Sequence, residues 1–114
     1  MMEEDDHKLS VSPSVENQTN RYRFELHADS LTSEISDTLN FTSDQLILPL
    51  TVVNYTSGSA NFRILDQNEQ PIVQEPLNQN RIVTLTQIPA RTPRFIRFEF
   101  SDYSGNISLV LKGN

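Results

Sequence analysis

Cysteine and tryptophan are absent from this chain, glycine occurs only 3 times, and histidine only twice. Without cysteine there is no disulfide framework, no thiol nucleophile and no cysteine-ligated zinc. Lysine is confined to Lys8 and Lys112, and acids outnumber bases by 15 to 9. Duplex affinity depends on many phosphate-neutralising cations, so nucleic acid is not an expected partner. No apolar run approaches the length of a bilayer span, so no transmembrane segment is expected. The first residues also lack the charged-then-apolar pattern of a secretory leader.

The 114 residues suit one domain, long enough to bury a modest core without a metal or disulfide staple. The net charge of -6 is unevenly placed. Residues 1–16 hold Glu3, Glu4, Asp5, Asp6 and Glu16 against Lys8, a net of -4, and ten acids against eight bases leave the rest at -2. Residues 1–19 are acidic, then rich in Ser, Pro and Asn, and show no periodicity. They read as a flexible tail, since such a segment buries too little apolar surface to offset its ordering entropy. The domain is expected over residues 20–114.

From Asn20 the pattern changes. Tyr22, Phe24 and Leu26 alternate with charged residues, which marks a strand with one buried face. Leu31, Ile35 and Leu39 are four apart, which fits a short amphipathic helix. The Thr, Ser and Asp between them fit a short strand and loop equally well, and both assignments stand. Residues 45–55 form an apolar run rich in β-branched side chains, a buried strand in which Pro49 marks an edge or a bulge. Strands are expected again at 60–66, with Phe62 and Ile64 opposite Arg63, and at 71–75, 81–88, 94–100 and 107–111. The turns between them are signalled by Thr56–Ser59, Asp66–Gln70 and Asp102–Asn106. About seven strands at ten-residue spacing predict an all-β fold, an antiparallel two-sheet sandwich of jelly-roll or immunoglobulin-like form, with a small barrel as the alternative. The expected core is Phe24, Leu48, Val52, Phe62, Ile64, Ile96, Phe98, Leu109 and Leu111.

Chemistry is sparse. A serine nucleophile needs a positioned base, and the domain's one histidine, His27, reads as the solvent-facing end of the first strand. No acid pair has a forced spacing, so no catalytic residue, cofactor or bound metal is expected. Asp29, Glu34, Asp37, Asp44 and Asp102 are the acids that calcium would use, since it takes several oxygen ligands, but spread over polar loops they read as solvated. Arginine is more distinctive. Arg97 is expected beside Arg21 or Arg23 on one exposed sheet face, paired with Glu99 or Glu25. Arg94, Arg97 and Tyr103 are the contacts that the chain offers a ligand, by forked hydrogen bonds to an acidic group or a sugar. Four Asn-x-Ser/Thr triplets, at Asn17, Asn40, Asn54 and Asn106, are what this composition produces by itself.

The run Gly58-Ser59-Ala60-Asn61-Phe62-Arg63-Ile64-Leu65-Asp66, the strand Arg94–Phe100, and Gly105-Asn106-Ile107-Ser108-Leu109-Val110-Leu111 together resemble the rhythm of bacterial pre-peptidase C-terminal-type β-sandwich domains. The resemblance spans residues 20–113 and rests on rhythm alone, with few glycines and none of the aspartate-rich strand ends of calcium-binding members. It implies a noncatalytic module of an exported protein, periplasmic, secreted or at the cell surface. The acidic N-terminal segment resembles the stretch after the lipid-bearing residue of a bacterial lipoprotein. The expected function is a binding or assembly module with a protein or glycan partner, or self-association through a sheet edge. The alternative is a sandwich that binds a carbohydrate or small ligand.

Overall fold

The strand expected at Tyr22 does not stop at His27. In the computed structural model, which describes residues 13–42, 45–86 and 91–113, β2 runs over Arg21–Thr38. Two more strands are as long: β3, Leu46–Leu65, and β6, Phe95–Gly113. These three lie side by side and antiparallel, with β6 in the middle. Three short strands complete the sheet: β1 (Ser14–Gln18) on β2, β4 (Pro71–Pro76) on the C-terminal half of β3, and β5 (Arg81–Leu85) on its N-terminal half. The fold is all-β and antiparallel, and the sheet is not closed into a barrel.

Each long strand doubles back on itself. Tyr22 and Asp37 are 15 residues apart on β2, roughly 50 Å if the strand were straight, yet the Tyr22 hydroxyl donates to Asp37 Oδ2 at 2.6 Å. Phe24 and Phe98 sit at distant rungs of the β2–β6 ladder but stack at 4.0 Å and 15°. The long ribbon is therefore folded into two layers with its concave face inside, a β-sandwich made from continuous strands. One layer holds the N-terminal halves of β2 and β3 with the C-terminal half of β6; the other holds the remaining halves.

The fold line is written into the backbone. Register shifts fall at Ala28–Ser33 on β2 and at Val53–Ser59 on β3. Ser30, Asn54 and Asp102 all have positive φ there (53°, 56° and 53°), as has Gly58 at 87°. Bulges at one level on neighbouring strands bend a sheet sharply. Gly58 is required by more than its φ, because an added Cβ would run into the Asp102 carbonyl of the adjacent strand. Short polar groups close the bend: the Ser30 amide donates to Ser104 Oγ, and the Asp102 amide to Thr32 Oγ1, both at 2.9 Å.

The core lies between the layers. All nine expected core residues, from Phe24 to Leu111, are 0% exposed. Three expectations need correction, and one left open is settled. Residues 14–18 are not tail: Asn20, with φ of 59°, turns the chain so that Ser14–Gln18 pairs with Arg21–Glu25. That strand is exposed along its whole length, so it has no buried face and leaves no alternation in the sequence. Residues 1–12 lie outside the described residues. The turns expected at Thr56–Ser59 and Asp102–Asn106 are bends within β3 and β6, which merges four expected strands into two. With β1 added, six strands are present among the described residues. The undecided stretch after Ala28 is strand as far as Thr38. Pro49 lies between β5 and β6, not at an edge; the ladder to β6 skips Leu48 and Pro49, as expected where a residue has no amide donor.

Candidate functional site

Alternation decides which side chains leave the core. Phe62 and Ile64 point inward from β3, so Asn61 and Arg63 point outward; Ile96, Phe98 and Phe100 point inward from β6, so Arg97 and Glu99 point outward. Register then sets them in two rows across four strands. One row reads Ser36, Arg97, Arg63, Gln74; the next reads Glu34, Glu99, Asn61, Pro76. Like charges thus stand directly opposite each other, Arg63 to Arg97 and Glu34 to Glu99, an arrangement that costs stability in a sheet. Diagonal pairing relieves part of it. Arg63 Nη2 donates to Glu99 Oε2 at 3.3 Å, and Arg97 Nη2 lies 4.0 Å from Glu69 Oε1.

Two atoms of this face are left without partners. Asn61 Oδ1 and Arg63 Nε are buried and make no hydrogen bond. An orphaned buried polar group costs about 1–3 kcal/mol, and here an acceptor and a donor sit two residues apart on one strand. Open grooves border Asn61 on either side. The groove towards β4 has about 410 Å³ and is lined by Ser59, Gln74, Glu75, Pro76 and Asn78; that towards β6 has about 240 Å³ and is lined by Ser59, Glu99 and Ser101. The walls are polar except for Ala60, which lines both grooves, and Pro76, and the Phe100 ring behind the second groove is only 5% exposed.

The three expected ligand contacts are scattered. Arg97 lies on this face. Arg94 is exposed beside a separate groove bounded by Asp66, Asn68 and Arg91, and its backbone ties the strand ends together, donating to Leu65 O and accepting from Leu39 N. Tyr103 is a correction. It is 0% exposed in the middle of β6, its hydroxyl donates to Leu77 O at 2.6 Å, and burial, with the Tyr55 phenol as the lesser cause, pushes its pKa up to about 12. No ligand reaches it. Arg97 is not beside Arg21 or Arg23 either: those belong to the other layer, where Arg23 Nη2 donates to Glu25 at 2.6 Å. Asn61 was missed; its signal is its parity with Arg63.

Asp66 builds a turn and holds no ligand. Its Oδ1 accepts from the amides of Asn68 and Gln70, both at 2.9 Å, and its Oδ2 from Arg91 Nη1 at 3.0 Å. The Gln70 amide, then that of Asn68 and the Arg91 guanidinium, hold its carboxyl below the ordinary aspartate value. The acids considered for calcium do not converge: Asp29 and Asp102 are exposed near the bend, and Asp37 accepts from Tyr22. Asp44 lies outside the described residues. Among the described residues no three His, Asp or Glu side chains gather as a metal site, and His27 is exposed on the layer opposite Asn61.

No family model and no curated protein matches the chain. Several solved structures are similar in shape. They include a Bacillus protein of endospore appendages that form disulfide-linked pili (6% identity, TM-score 0.47, covering 91% of this chain and 92% of that one). Another is a low-affinity xylan-binding module of Roseburia intestinalis (5%, 0.45, 90% and 85%). The VP2 subviral particle of infectious bursal disease virus is a third (12%, 0.44, 92% and 33%), and this chain spans about a third of that one. No residue role passes from them to this chain.

Proposed function

We propose that the chain is a noncatalytic binding module whose ligand docks on the outward face formed by Asn61, Arg63, Arg97 and Glu99. The observation that carries this is the orphaned pair, Asn61 Oδ1 and Arg63 Nε, two residues apart on β3 with open grooves on either side of Asn61. Buried polar groups are normally satisfied, and the exceptions in a rigid scaffold point to what completes them. Catalysis has no support on this face: Arg63 is paired with Glu99, Arg97 lies near Glu69, and the histidine of the domain is on the other layer. The extracytoplasmic setting is part of the proposal and rests on the resemblance to modules of exported proteins.

The labelled domain is to be screened on an array of immobilised glycans and peptides, then again as Arg63→Ala and as Ile82→Thr. Ile82 is 81% exposed on the opposite layer and serves as the control. Binding should fall with Arg63→Ala and persist with Ile82→Thr. Hits indifferent to Arg63→Ala would place the ligand elsewhere and sink the reading.

A further inference from the structure

The chemistry of the orphaned atoms narrows the ligand, on the proposed reading of this face as the binding site. Asn61 Oδ1 must receive a hydrogen bond and Arg63 Nε must give one. A carboxylate or phosphate oxygen has no hydrogen to offer the asparagine, and an ammonium has no lone pair for the arginine. A hydroxyl does both from one atom. An amide does both through two atoms, but a peptide backbone normally docks on an open strand edge, where unpaired main-chain groups await it. Asn61 and Arg63 lie on β3, which is paired on both sides at this level, by β4 and β6.

Charge points the same way. Arg63 is bonded to Glu99 and Arg97 is drawn towards Glu69, so an anion would have to displace a carboxylate already in place. The groove walls offer serine hydroxyls and amides at Ser59, Ser101, Gln74 and Asn78. No exposed aromatic ring stands in either groove for a sugar to stack on.

We infer that this face binds a neutral, hydroxyl-rich saccharide edge-on, through hydrogen bonds and without aromatic stacking, one sugar hydroxyl bridging Asn61 Oδ1 and Arg63 Nε. Without a stacking platform the affinity is weak, on the order of millimolar, since hydrogen bonds exchanged with water contribute little net free energy.

The test is a nuclear magnetic resonance titration of the full ¹⁵N-labelled chain, following the Arg63 Nε–H and Asn61 side-chain amide signals. The probes are xylotetraose, cellotetraose and mannotetraose, with tetragalacturonate as the anionic arm and a neutral polar hexapeptide as the peptide arm. Saturable movement of both signals is expected with at least one neutral tetrasaccharide, while the Val53 and Ile82 amides stay still. Asn61→Leu removes the acceptor and should weaken that binding roughly 3- to 10-fold. Arg63→Lys keeps the charge but removes Nε, and should do the same; a native-like backbone spectrum confirms that each variant is folded. Movement with tetragalacturonate alone, or with the hexapeptide alone, overturns the saccharide inference and leaves the binding face standing. If no neutral tetrasaccharide moves either signal at tens of millimolar, the inference is overturned. If array ligands also map away from Arg63, the binding face falls with it.

Discussion

The two layers of the folded ribbon use the same three strands, and they face one core. Tyr22, Phe24, Leu48 and Leu109 enter it from one layer, and Phe62, Ile64, Ile96 and Phe98 from the other. Their outer faces differ. On the first layer the outward positions of β3 and β6 are mostly uncharged and many are β-branched: Ile47, Thr51, Val53, Ser108 and Val110, side chains suited to a pleated surface. On the second, like charges oppose each other and two buried polar atoms have no partner. The same three central strands and one shared core make the contrast informative. Packing does not demand the orphaned pair, since the first layer, which has its own like-charge rung at Arg21 and Lys112, leaves no buried side-chain polar atom without a partner among the described residues. Where a sequence leaves buried polar groups unpaired in one layer and pairs them in the other, the unpaired layer is the one to test for a ligand.

The comparison assumes that the layers are one cooperative unit, and Phe98→Ala is the strongest attack on that. Phe98 stacks on Phe24 across the sandwich and touches Phe62 and Phe100 within its own layer, at 6.2 and 6.3 Å. Its loss should cost about 3–5 kcal/mol in urea unfolding, with one transition retained. Two separate transitions, or a loss under about 1 kcal/mol, would mean that the layers do not share a core. Gly58→Ala attacks the bend instead. It places a side chain at positive φ and drives a Cβ into the Asp102 carbonyl, so about 2–3 kcal/mol should be lost. A neutral result would show that the strands are not folded where Ser30, Asn54, Gly58 and Asp102 place the line.

The inside of the fold was legible in the sequence, and its outline less so. Period-two alternation marks the buried face wherever one exists, which is why Phe24, Phe62, Ile96 and Leu109 were recovered. The bend was not recovered, because Thr56–Ser59 and Asp102–Asn106 carry the residues of a turn and a bulge uses the same residues. Leu31, Ile35 and Leu39 stayed ambiguous because a spacing of four satisfies both a helix face and a strand face. For the site, alternation put Arg63 and Arg97 on exposed faces, but which rows they share depends on register between distant strands, and that is absent from any local pattern. Tyr103 was misassigned for the same reason as the bend: taken for a loop tip, it is mid-strand and buried.

The smallest effect expected is electrostatic, and it should fall on one layer only. The second layer ends in the Asp66 turn, where the carboxylate accepts from the amides of Asn68 and Gln70 and from Arg91. Its pKa is lowered in the folded state. A group with a depressed folded pKa adds stability that is present above its unfolded value and lost as pH falls through the folded one. Below about pH 4, the ordinary aspartate range, the turn should therefore loosen. Hydrogen exchange reads this directly, because the Asn68 and Gln70 amides are the donors. Corrected for intrinsic rates, their protection should fall between neutral and acid pH. Amides of the β3–β5 ladder around Leu50 and Val83, which has no carboxylate at its rungs, should hold theirs. Asp66→Asn keeps a carbonyl for the two amides but loses the charge facing Arg91, so protection in the turn should be lower at neutral pH and nearly flat towards acid. Equal acid loosening of both layers in the parent chain, or its persistence in Asp66→Asn, would remove the link between this carboxylate and the contrast between the layers.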